Sequence, residues 1–573
     1  MERRLLLVFA LTFLVIILFQ PILKRYLPQA PTPPAQTQTQ TPNPPQTPLP
    51  QAAAGKAPQA AQAPGSAGTA AKQAEAETET VVENDLYRIA FTNRGAQVRS
   101  WVLKKFDDDH GNPLELVNRL TVEKSGYPLS LWTYDESQRN QLNSALYVAS
   151  RTGALTAPAE LTFEYANQGV EVRKTLRFDD SYVVRVETAV TVNGSQIAAY
   201  PMWPAGLGDQ DTPVGFASSR IEYQLNGDIE RVAFKKISSG NTLHGPMNWI
   251  AVTDQYFAAV FIPNDSQSVA AVTLHNSIDI PKDPQRPNQD LTKADFLGVA
   301  TGNPRGSTEQ RLYVGPKELG TLEKVAVPSI SEKEPDLRGL INFGFFQIIA
   351  RPLFIWLRWT YKYIHNWGWA IVIQTLIINL VLLPLRISSM KSALKMQRIQ
   401  PQMNAIKEKY KKYGMRDPRR QEMNTEIGEL MKREGVSPVG GCLPMLIQMP
   451  FLFAYYGMLG AALDLRHAHW LWVKDLSSAD PYLVLPILII ITGLLTQRMT
   501  PQAGMDPSQQ KMMNVVMPVM FGFISYRLAA GLCLYWTESS VIAIVQQLVM
   551  NRTSLGREMR EMALKRARKK EKK

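Results

Sequence analysis

Long apolar segments with at most one formal charge recur along the second half of the chain and occur once near its start. Six segments have this character: residues 5–23, 363–385, 435–463, 481–497, 512–526 and 528–551. Only the last of them contains a charged side chain, Glu538. Because roughly 20 apolar residues cross the hydrocarbon core of a bilayer as a helix, the pattern predicts six transmembrane helices. No small-residue cleavage pattern closes the first segment, so residues 1–27 are predicted to be an uncleaved anchor rather than a signal peptide.

The pattern changes twice between the first and second apolar segments. Residues 28–80 are rich in Pro, Gln, Ala and Thr and contain almost no large apolar side chains, so we expect a disordered linker. Residues 81–327 instead show short runs in which apolar and polar positions alternate, as at Val184, Val186 and Val190. Turn residues separate these runs. The alternation predicts an all-β domain with the architecture of an antiparallel sandwich.

Residues 328–365 combine aromatic side chains with cations. Trp356, Trp359 and Tyr363 stand close to Arg358 in this segment. Aromatic rings and long basic side chains are typical of a helix that lies in the membrane interface. We therefore predict an interfacial amphipathic helix here, with an ordinary amphipathic helix packed on the β domain as the alternative.

The basic residues concentrate beside the predicted spans. The whole chain has 63 Lys and Arg against 50 Asp and Glu, and the excess lies in two segments, 386–438 and 552–573. Because Lys and Arg favour cytoplasmic loops, both segments are predicted to be cytoplasmic. The four spans between them are an even number, as this assignment requires. The same parity places the N-terminus in the cytoplasm and the β domain on the other side of the membrane.

The loop 386–438 is predicted to be a basic helical hairpin. Met396 and Met403 mark an apolar stripe on its first helix, and Met423 and Leu430 mark one on its second. Methionine suits surfaces that accept many sequences, although packing between the two helices explains most of these positions. Anionic lipids and the ribosome are the partners that the basic charge favours. A direct nucleic-acid function is not predicted, because no recognisable binding fold accompanies the charge.

Polar side chains inside the predicted spans are the candidates for a functional site, because burying them in lipid is costly. The five candidates are Thr375, Asn379, Arg386, Gln448 and Glu538. Thr375, Asn379 and Arg386 share one face of a straight helix, whereas Gln374 points elsewhere. These side chains could line one hydrated cavity, or they could be hydrogen-bonding contacts between helices. For the ionisable Glu538 we expect Arg527 or Arg466 as a partner.

The sequence contains no arrangement typical of catalysis. It has no Gly-rich phosphate loop, no nucleophile elbow and no HExxH motif, so we predict neither an enzyme nor a cofactor nor a metal site. His467 and His469 stand beside Trp470 and are interpreted as residues of the membrane interface. The spans 481–497 and 512–526 are short, which predicts either a locally thinned bilayer or extension by neighbouring loop residues.

Several motifs together resemble the YidC-type membrane protein insertases. They are GGCLPMLIQMP at 440–450, DLSSADPY at 475–482, GLCLYW at 531–536, the pair Gln546 and Gln547, and NWIA and DQYF within 245–263. The segment 245–263 is similar to the periplasmic domain of the Gram-negative members. The resemblance covers nearly the whole chain except the linker.

The resemblance implies a fold, a location and an activity. The fold is a polytopic α-helical membrane protein with a conserved five-helix core at 366–551 and an all-β periplasmic supersandwich at 81–327. The location is the bacterial inner membrane. The activity is the insertion and folding of nascent membrane proteins, alone or with the Sec translocon, without nucleotide or metal. Contacts of the basic loop and tail with the ribosome and the signal recognition particle receptor are expected from the same resemblance.

Family members receive the polar part of a substrate in a groove open to cytoplasm and lipid, and guide its apolar helix along a hydrophobic slide. By motif position, Thr375 corresponds to a groove residue. The slide residues correspond to Leu452, Ile490, Ile524, Tyr535 and Trp536. The usual groove arginine is replaced by Asn379, and Glu538 stands where an apolar residue is usual. We therefore expect Asn379 to keep the groove hydrated and Arg386 to supply a positive charge at its mouth.

Two other functions are weighed against the insertase. A secondary transporter would show an inverted repeat and broken helices at the membrane midplane, and the sequence shows no such repeat. A membrane-anchored, carbohydrate-active periplasmic protein would need a pair of acid and base side chains in the sandwich, and no such pair stands out. A β-sandwich by itself is compatible with many functions.

Overall fold

A computed structural model describes residues 71–282, 290–327, 337–413, 417–436, 443–499 and 512–554, together with residues 557 and 561. The predicted anchor at 1–27 lies outside these residues, as does nearly all of the basic tail. Strands occupy the described chain up to Pro316, and helices follow from Gln347.

The strands within the described residues form three sheets, with five, ten and five strands. The strands are β1 Glu79–Glu83, β2 Tyr87–Thr92, β3 Gln97–Asp107, β4 Pro113–Glu115, β5 Leu131–Trp132, β6 Val148–Ala149, β7 Gly153–Thr156, β8 Ala159–Asn167, β9 Val170–Phe178, β10 Val183–Val192, β11 Ser195–Gln196, β12 Tyr200–Trp203, β13 Arg220–Leu225, β14 Asp228–Ala233, β15 Asn241–Gly245, β16 Met247–Thr253, β17 Phe257–Pro263, β18 Val269–Pro281, β19 Leu291–Gly302 and β20 Thr308–Pro316. Pairing is antiparallel except between β1 and β7, which are parallel.

The alternating apolar positions of the β domain are buried, as the sequence predicted. Val184, Val186 and Val190 of β10 are buried, and β10 pairs with β9 across a turn in which the Ser181 amide donates to Asp179 Oδ1 at 2.8 Å. Apolar side chains from all three sheets form the core of the domain. The β domain begins earlier than the predicted boundary, because β1 starts at Glu79 and the Lys72 amide donates to the Ala166 carbonyl at 2.7 Å.

Four short helices lie among the strands or directly after them, and eight further helices follow from Gln347 in the described chain. The helices are α1 Val122–Ser125, α2 Glu136–Ser144, α3 Pro213–Ala217, α4 Leu319–Leu322, α5 Gln347–Ile364, α6 Trp367–Val381, α7 Leu383–Lys409, α8 Arg419–Arg433, α9 Leu443–Ala461, α10 Val484–Met499, α11 Met517–Ser525 and α12 Ala530–Arg552. A π-helical turn at Met512–Val516 leads into α11.

The predicted span 363–385 is divided in the structure. His365 ends α5 in the left-handed conformation with φ 56°, and Asn366 caps α6 by accepting from the Trp369 amide at 3.1 Å. Tyr363 therefore belongs to α5, and its inclusion in the span was wrong. The error arose because an uncharged run does not reveal a helix break made by backbone conformation.

Helix α5, which was expected to lie in the interface, packs on the helical core. Ala350, Leu353, Phe354 and Leu357 are buried, while Ile348 on the same helix is 85% exposed. Arg358 bridges Glu318 of the β domain, at 3.2 Å, and Asp464 after α9, at 3.8 Å. The helix is amphipathic and contacts the core on one side.

By length and composition, one described helix could cross a membrane, α12. The pair formed by α6 and the start of α7 passes the same test but is bent by 49° at the break. Met449–Ala461, Val484–Met499 and Asn514–Ser525 are shorter apolar helices. The predicted number of six spans thus remains a prediction.

The basic loop folds as two helices, α7 and α8. Ile399, Met403 and Leu430 are buried together with Val436, and Met396 and Ile427 pack against them. Met423 is buried on the same hairpin. The apolar stripes therefore serve packing between the two helices.

Candidate functional site

Helix α6 has one buried polar face and one exposed apolar face. Thr375 and Asn379 are buried, whereas Leu376, Ile377 and Leu380 are exposed. The Thr375 hydroxyl donates to the Ile371 carbonyl at 2.8 Å, and Asn379 Nδ2 donates to the Thr375 carbonyl at 2.9 Å. The side chains that the sequence placed on one face do point into the protein.

Gln374, which was not a candidate, connects three helices. Its Nε2 donates to the Leu353 carbonyl of α5 at 2.9 Å, and its Oε1 accepts from the Tyr455 hydroxyl of α9 at 2.7 Å. Tyr455 in turn stacks on Tyr535 of α12, with ring centroids 4.0 Å apart. A glutamine in an apolar span was the available signal, but the geometry of a straight helix placed it on a different face from the candidates.

Arg386 reaches the polar face of α6 through a residue of α12. Its Nη1 donates to Gln546 Oε1, and Gln546 Nε2 donates to the Asn379 carbonyl at 3.4 Å. The bend between α6 and α7 means that a single straight helix does not describe this arrangement. The sequence indicated Gln546 only as part of a motif. Its position between Asn379 and Arg386 does not follow from the spacing of residues along the chain.

Glu538 lies against the polar face of α6 and has neither expected partner. Its carboxyl is next to the Thr375 side chain. Arg466 instead pairs with Asp109 at 3.3 Å, and Arg527 lies over the Tyr526 ring at 5.8 Å. The predicted ion pair of Glu538 with Arg527 or Arg466 was therefore wrong, because both cations lie in segments that connect helices.

One turn of α12 carries three buried polar atoms without a partner among the described residues. They are Thr537 Oγ1, Glu538 Oε2 and Ser539 Oγ. Buried polar groups in native proteins are almost always hydrogen-bonded to protein or to water. This turn is therefore a part of α12 whose buried polar groups are incompletely hydrogen-bonded by the described residues.

The residues assigned to the slide differ in exposure. Leu452, Ile490 and Trp536 are half-buried, Ile524 is 47% exposed, and Tyr535 is buried beneath Tyr455. Trp536 packs edge-on against Phe521 of α11 at 4.9 Å. The side chain of Gln448 lies outside the described residues, so its predicted place in the groove stays a prediction.

A second polar cluster joins the β domain to the helical core. The Arg466 guanidinium lies over the rings of Tyr256 and Phe257, at 5.9 and 5.6 Å. Gln255 Nε2 donates to the Gly460 carbonyl at 2.8 Å, and His467 Nε2 lies 3.3 Å from Asp109 Oδ1. His467 therefore contacts the β domain, which its sequence position did not reveal.

Two buried carboxyl groups, those of Asp209 and Asp254, lie near Arg466 at this junction. Burial raises the pKa of Asp209 well above its usual range, the neighbouring Asp254 raises it further, and Arg466 acts in the opposite direction. Asp209 Oδ1 and Asp254 Oδ2 receive no hydrogen bond from another described residue, and the two carboxyls hydrogen-bond one another when one of them holds a proton. Within the described ranges, no three His, Cys, Asp or Glu side chains are grouped in a way that could hold a metal ion.

Two family models match the chain. One, described as the YidC periplasmic domain, matches residues 79–356, and the other, described as a 60Kd inner membrane protein, matches residues 359–557. A membrane protein insertase YidC of Stenotrophomonas maltophilia is 33% identical over 562 residues, which cover 92% of this chain and 92% of the relative.

This chain belongs to the YidC family of membrane protein insertases. A second member, from Geobacter metallireducens, is 33% identical over 86% of this chain and 88% of its own length. A crystal structure of an active YidC insertase is 18% identical to this chain, with 84% of this chain and 95% of that chain covered and a TM-score of 0.34. The insertase is thus an inner-membrane protein with a β-rich periplasmic domain and a helical core, and it is not an enzyme.

Proposed function

We propose that the helical core inserts nascent membrane proteins by receiving their polar segment in a hydrated groove beside α6 and α12. Thr375, Asn379, Glu538 and Arg386 are the groove residues in this proposal, and Gln448 is assigned to the groove from sequence alone. Moving an unsatisfied polar group into an apolar environment costs about 2–7 kcal/mol. A groove that keeps such groups hydrated part of the way lowers this cost, and no covalent chemistry is needed.

The observation that carries the proposal is the run of unsatisfied polar atoms on α12. Thr537 Oγ1, Glu538 Oε2 and Ser539 Oγ are buried without a partner among the described residues, and they accompany the polar face of α6. Hydration accounts for them without leaving a buried group unsatisfied.

The slide in this proposal is the apolar surface beside the groove. Leu452, Ile490 and Trp536 are half-buried and Ile524 is exposed, so an apolar substrate helix could pack on them. Tyr535 has a different role, because its ring is buried against Tyr455. It supports the wall of the groove and does not touch the substrate directly.

The proposed topology has six spans, with both termini in the cytoplasm and the β domain in the periplasm. The basic composition of 386–438 and 552–573 supports this orientation. The two short helices α10 and α11 would fit a locally thinned bilayer. The proposed domains are the anchor at 1–27, a linker from 28 that ends before Lys72 instead of at the predicted residue 80, the β domain up to 327, the amphipathic segment at 328–365 and the core at 366–551.

Nascent inner-membrane proteins are the substrates of this insertase. The Sec translocon, the ribosome, the signal recognition particle receptor and anionic lipids are proposed partners, the last three through the basic hairpin and tail. The two alternatives, a secondary transporter and a carbohydrate-active periplasmic protein, receive no support from the relatives described above.

Crosslinking to a stalled nascent chain tests the proposal. A photocrosslinker at Trp536, which is half-buried, should capture the nascent membrane protein, and one at Thr375 should capture its polar flank. Val541 is the matched control, because it lies on the same helix and is 44% exposed on another face. Equal capture of the nascent chain from Val541 and Trp536, or capture only of small solutes, would contradict the proposal that the substrate passes along this groove.

A further inference from the structure

We propose that Glu538 makes this groove selective for translocated segments that carry a Lys or Arg side chain. The inference rests on the proposed function, since it names the substrate class that the groove would accept. It depends on how donors and acceptors are distributed around the Glu538 carboxyl and on where the cations of the core are placed.

Two hydroxyls of α6 and α9 in the neighbourhood of Glu538 have their protons committed elsewhere. The Thr375 hydroxyl lies within reach of the carboxyl, but its single proton is already donated to the Ile371 carbonyl at 2.8 Å. The Tyr455 hydroxyl donates to Gln374 Oε1 at 2.7 Å. Because each hydroxyl has only one proton, both present lone pairs to any further neighbour.

Glu538 itself adds an acceptor to this set. Its Oε2 is buried without a partner among the described residues. An ionised carboxylate only accepts hydrogen bonds, whereas an ammonium donates three and a guanidinium five. A cationic side chain would therefore supply the charge and the donors that hold the buried Glu538 as a carboxylate.

The cation of the core is placed away from Glu538. Arg386 donates to Gln546 Oε1, and Gln546 is eight residues further along α12 than Glu538. At 1.5 Å per residue the two positions are about 12 Å apart along the helix. The α6 residue next to the carboxyl is the neutral Thr375, so α6 places no cation there, whereas Arg386 lies at the Gln546 end of α12.

A comparison of three matched substrates tests the inference. They are one single-span protein with a short translocated tail that carries Lys, Gln or Asp at one position. The full-length insertase is reconstituted in vesicles without a membrane potential, and protease protection of the tail is measured. We expect the Lys tail to be inserted about two- to fivefold better than the Asp tail, the range of a partly exposed ion pair.

Two variants assign the preference to Glu538. Glu538→Gln keeps the shape but removes the charge, so the Lys-to-Asp ratio should fall to about one. Asn379→Arg adds a cation one helical turn from Thr375, on the same face of α6, and should reverse the preference. Val541→Leu, on the exposed face of α12, controls for changes in folding and reconstitution. Because the readout is a ratio between substrates, partial loss of folded protein does not imitate the result.

The outcomes separate this inference from the function on which it rests. If the wild-type insertase does not insert the Gln tail, the proposed function fails. If the Gln tail is inserted but Lys and Asp tails are equivalent, the selectivity is overturned and the function stands. A Lys preference that persists in Glu538→Gln also overturns the inference, because another feature then produces it.

Discussion

Lys174 is a charged side chain that the β domain encloses completely. Its Nζ donates to the carbonyls of Ala96 at 2.8 Å, Leu129 at 2.7 Å and Gly95 at 3.2 Å. It follows Val170 and Val172 on the inward face of β9. The alternation that predicted this strand thus also placed the lysine inside, where three carbonyls from neighbouring loops hold its three N–H groups.

Replacing Lys174 tests whether this ammonium fixes the loops. Lys174→Met leaves three carbonyls unpaired, so the free energy of unfolding of the β domain should fall by about 2–4 kcal/mol. Arg173→Met is the matched control on the outer face of the same strand and should change it by less than about 0.5 kcal/mol. Thermal unfolding of the full chain in detergent measures both.

The same residue predicts a pH dependence. Burial lowers the pKa of Lys174 to about 7, whereas an unfolded lysine has a pKa of about 10.4. Between these values the unfolded chain binds more protons than the folded chain, so the free energy of unfolding contributed by this group rises with pH. The difference between wild type and Lys174→Met should widen from pH 7 to pH 9. A constant difference would show that the lysine does not titrate in this window.

At the scale of elements, close helix contacts depend on glycine at particular positions. Gly457 of α9 lies against the backbone of the segment before α5, where an added Cβ would overlap the Phe343 carbonyl oxygen. Gly428 of α8 is also inside a helix, but an added Cβ would meet no atom within 4 Å. Both look alike in the sequence as helical glycines, and only the neighbouring chain distinguishes them.

This contrast gives a paired test of helix packing. Gly457→Ala should destabilise the helical core by about 1–3 kcal/mol, because a backbone atom must move to admit the methyl group. Gly428→Ala should be neutral or stabilise by up to about 1 kcal/mol, since alanine favours helix over glycine. The fraction of protease-resistant core after heating measures both; similar losses in the two variants would contradict the packing shown.

For the whole molecule, the junction between the β domain and the core depends on a nearly buried cation. The Arg466 side chain is 9% exposed, and it stacks near Tyr256 and Phe257 while pairing with Asp109. Arg358 adds a second connection between Glu318 and Asp464. These contacts join the β domain to the C-terminal end of α9 and the segment that follows it.

Removing Arg466 should loosen this junction. Arg466→Met leaves Asp109 and the buried carboxyls without their cation, so amide exchange in 255–257 and 466–477 should accelerate about tenfold, equivalent to about 1.4 kcal/mol. Lys474→Met, at an exposed lysine of the same loop, is the control and should change exchange little. Unchanged exchange in Arg466→Met would show that the surrounding apolar contacts alone hold the two parts together.

The pattern of apolar and polar residues in the sequence predicted several features of this protein without its tertiary structure. Alternation along β9 and β10, the two helices of the basic hairpin and the buried side of α6 all follow from periodicity, because burial of a side chain on a regular element depends on nearby residues. The motifs also identified the family. Periodicity did not predict the break at His365, because a left-handed residue changes the backbone without changing the apolar composition.

The partners of the polar residues were decided only by the tertiary structure. Arg386 meets Gln546, Gln374 meets Tyr455, and Arg466 faces the β domain. Each of these contacts joins segments far apart in the chain, so no spacing or helical angle encodes it. Sequence periodicity states which side of an element is buried, but the partner on that side is selected by how the elements pack. That packing leaves Glu538 without a cation in its reach among the described residues and places Arg466 at the junction of the two domains.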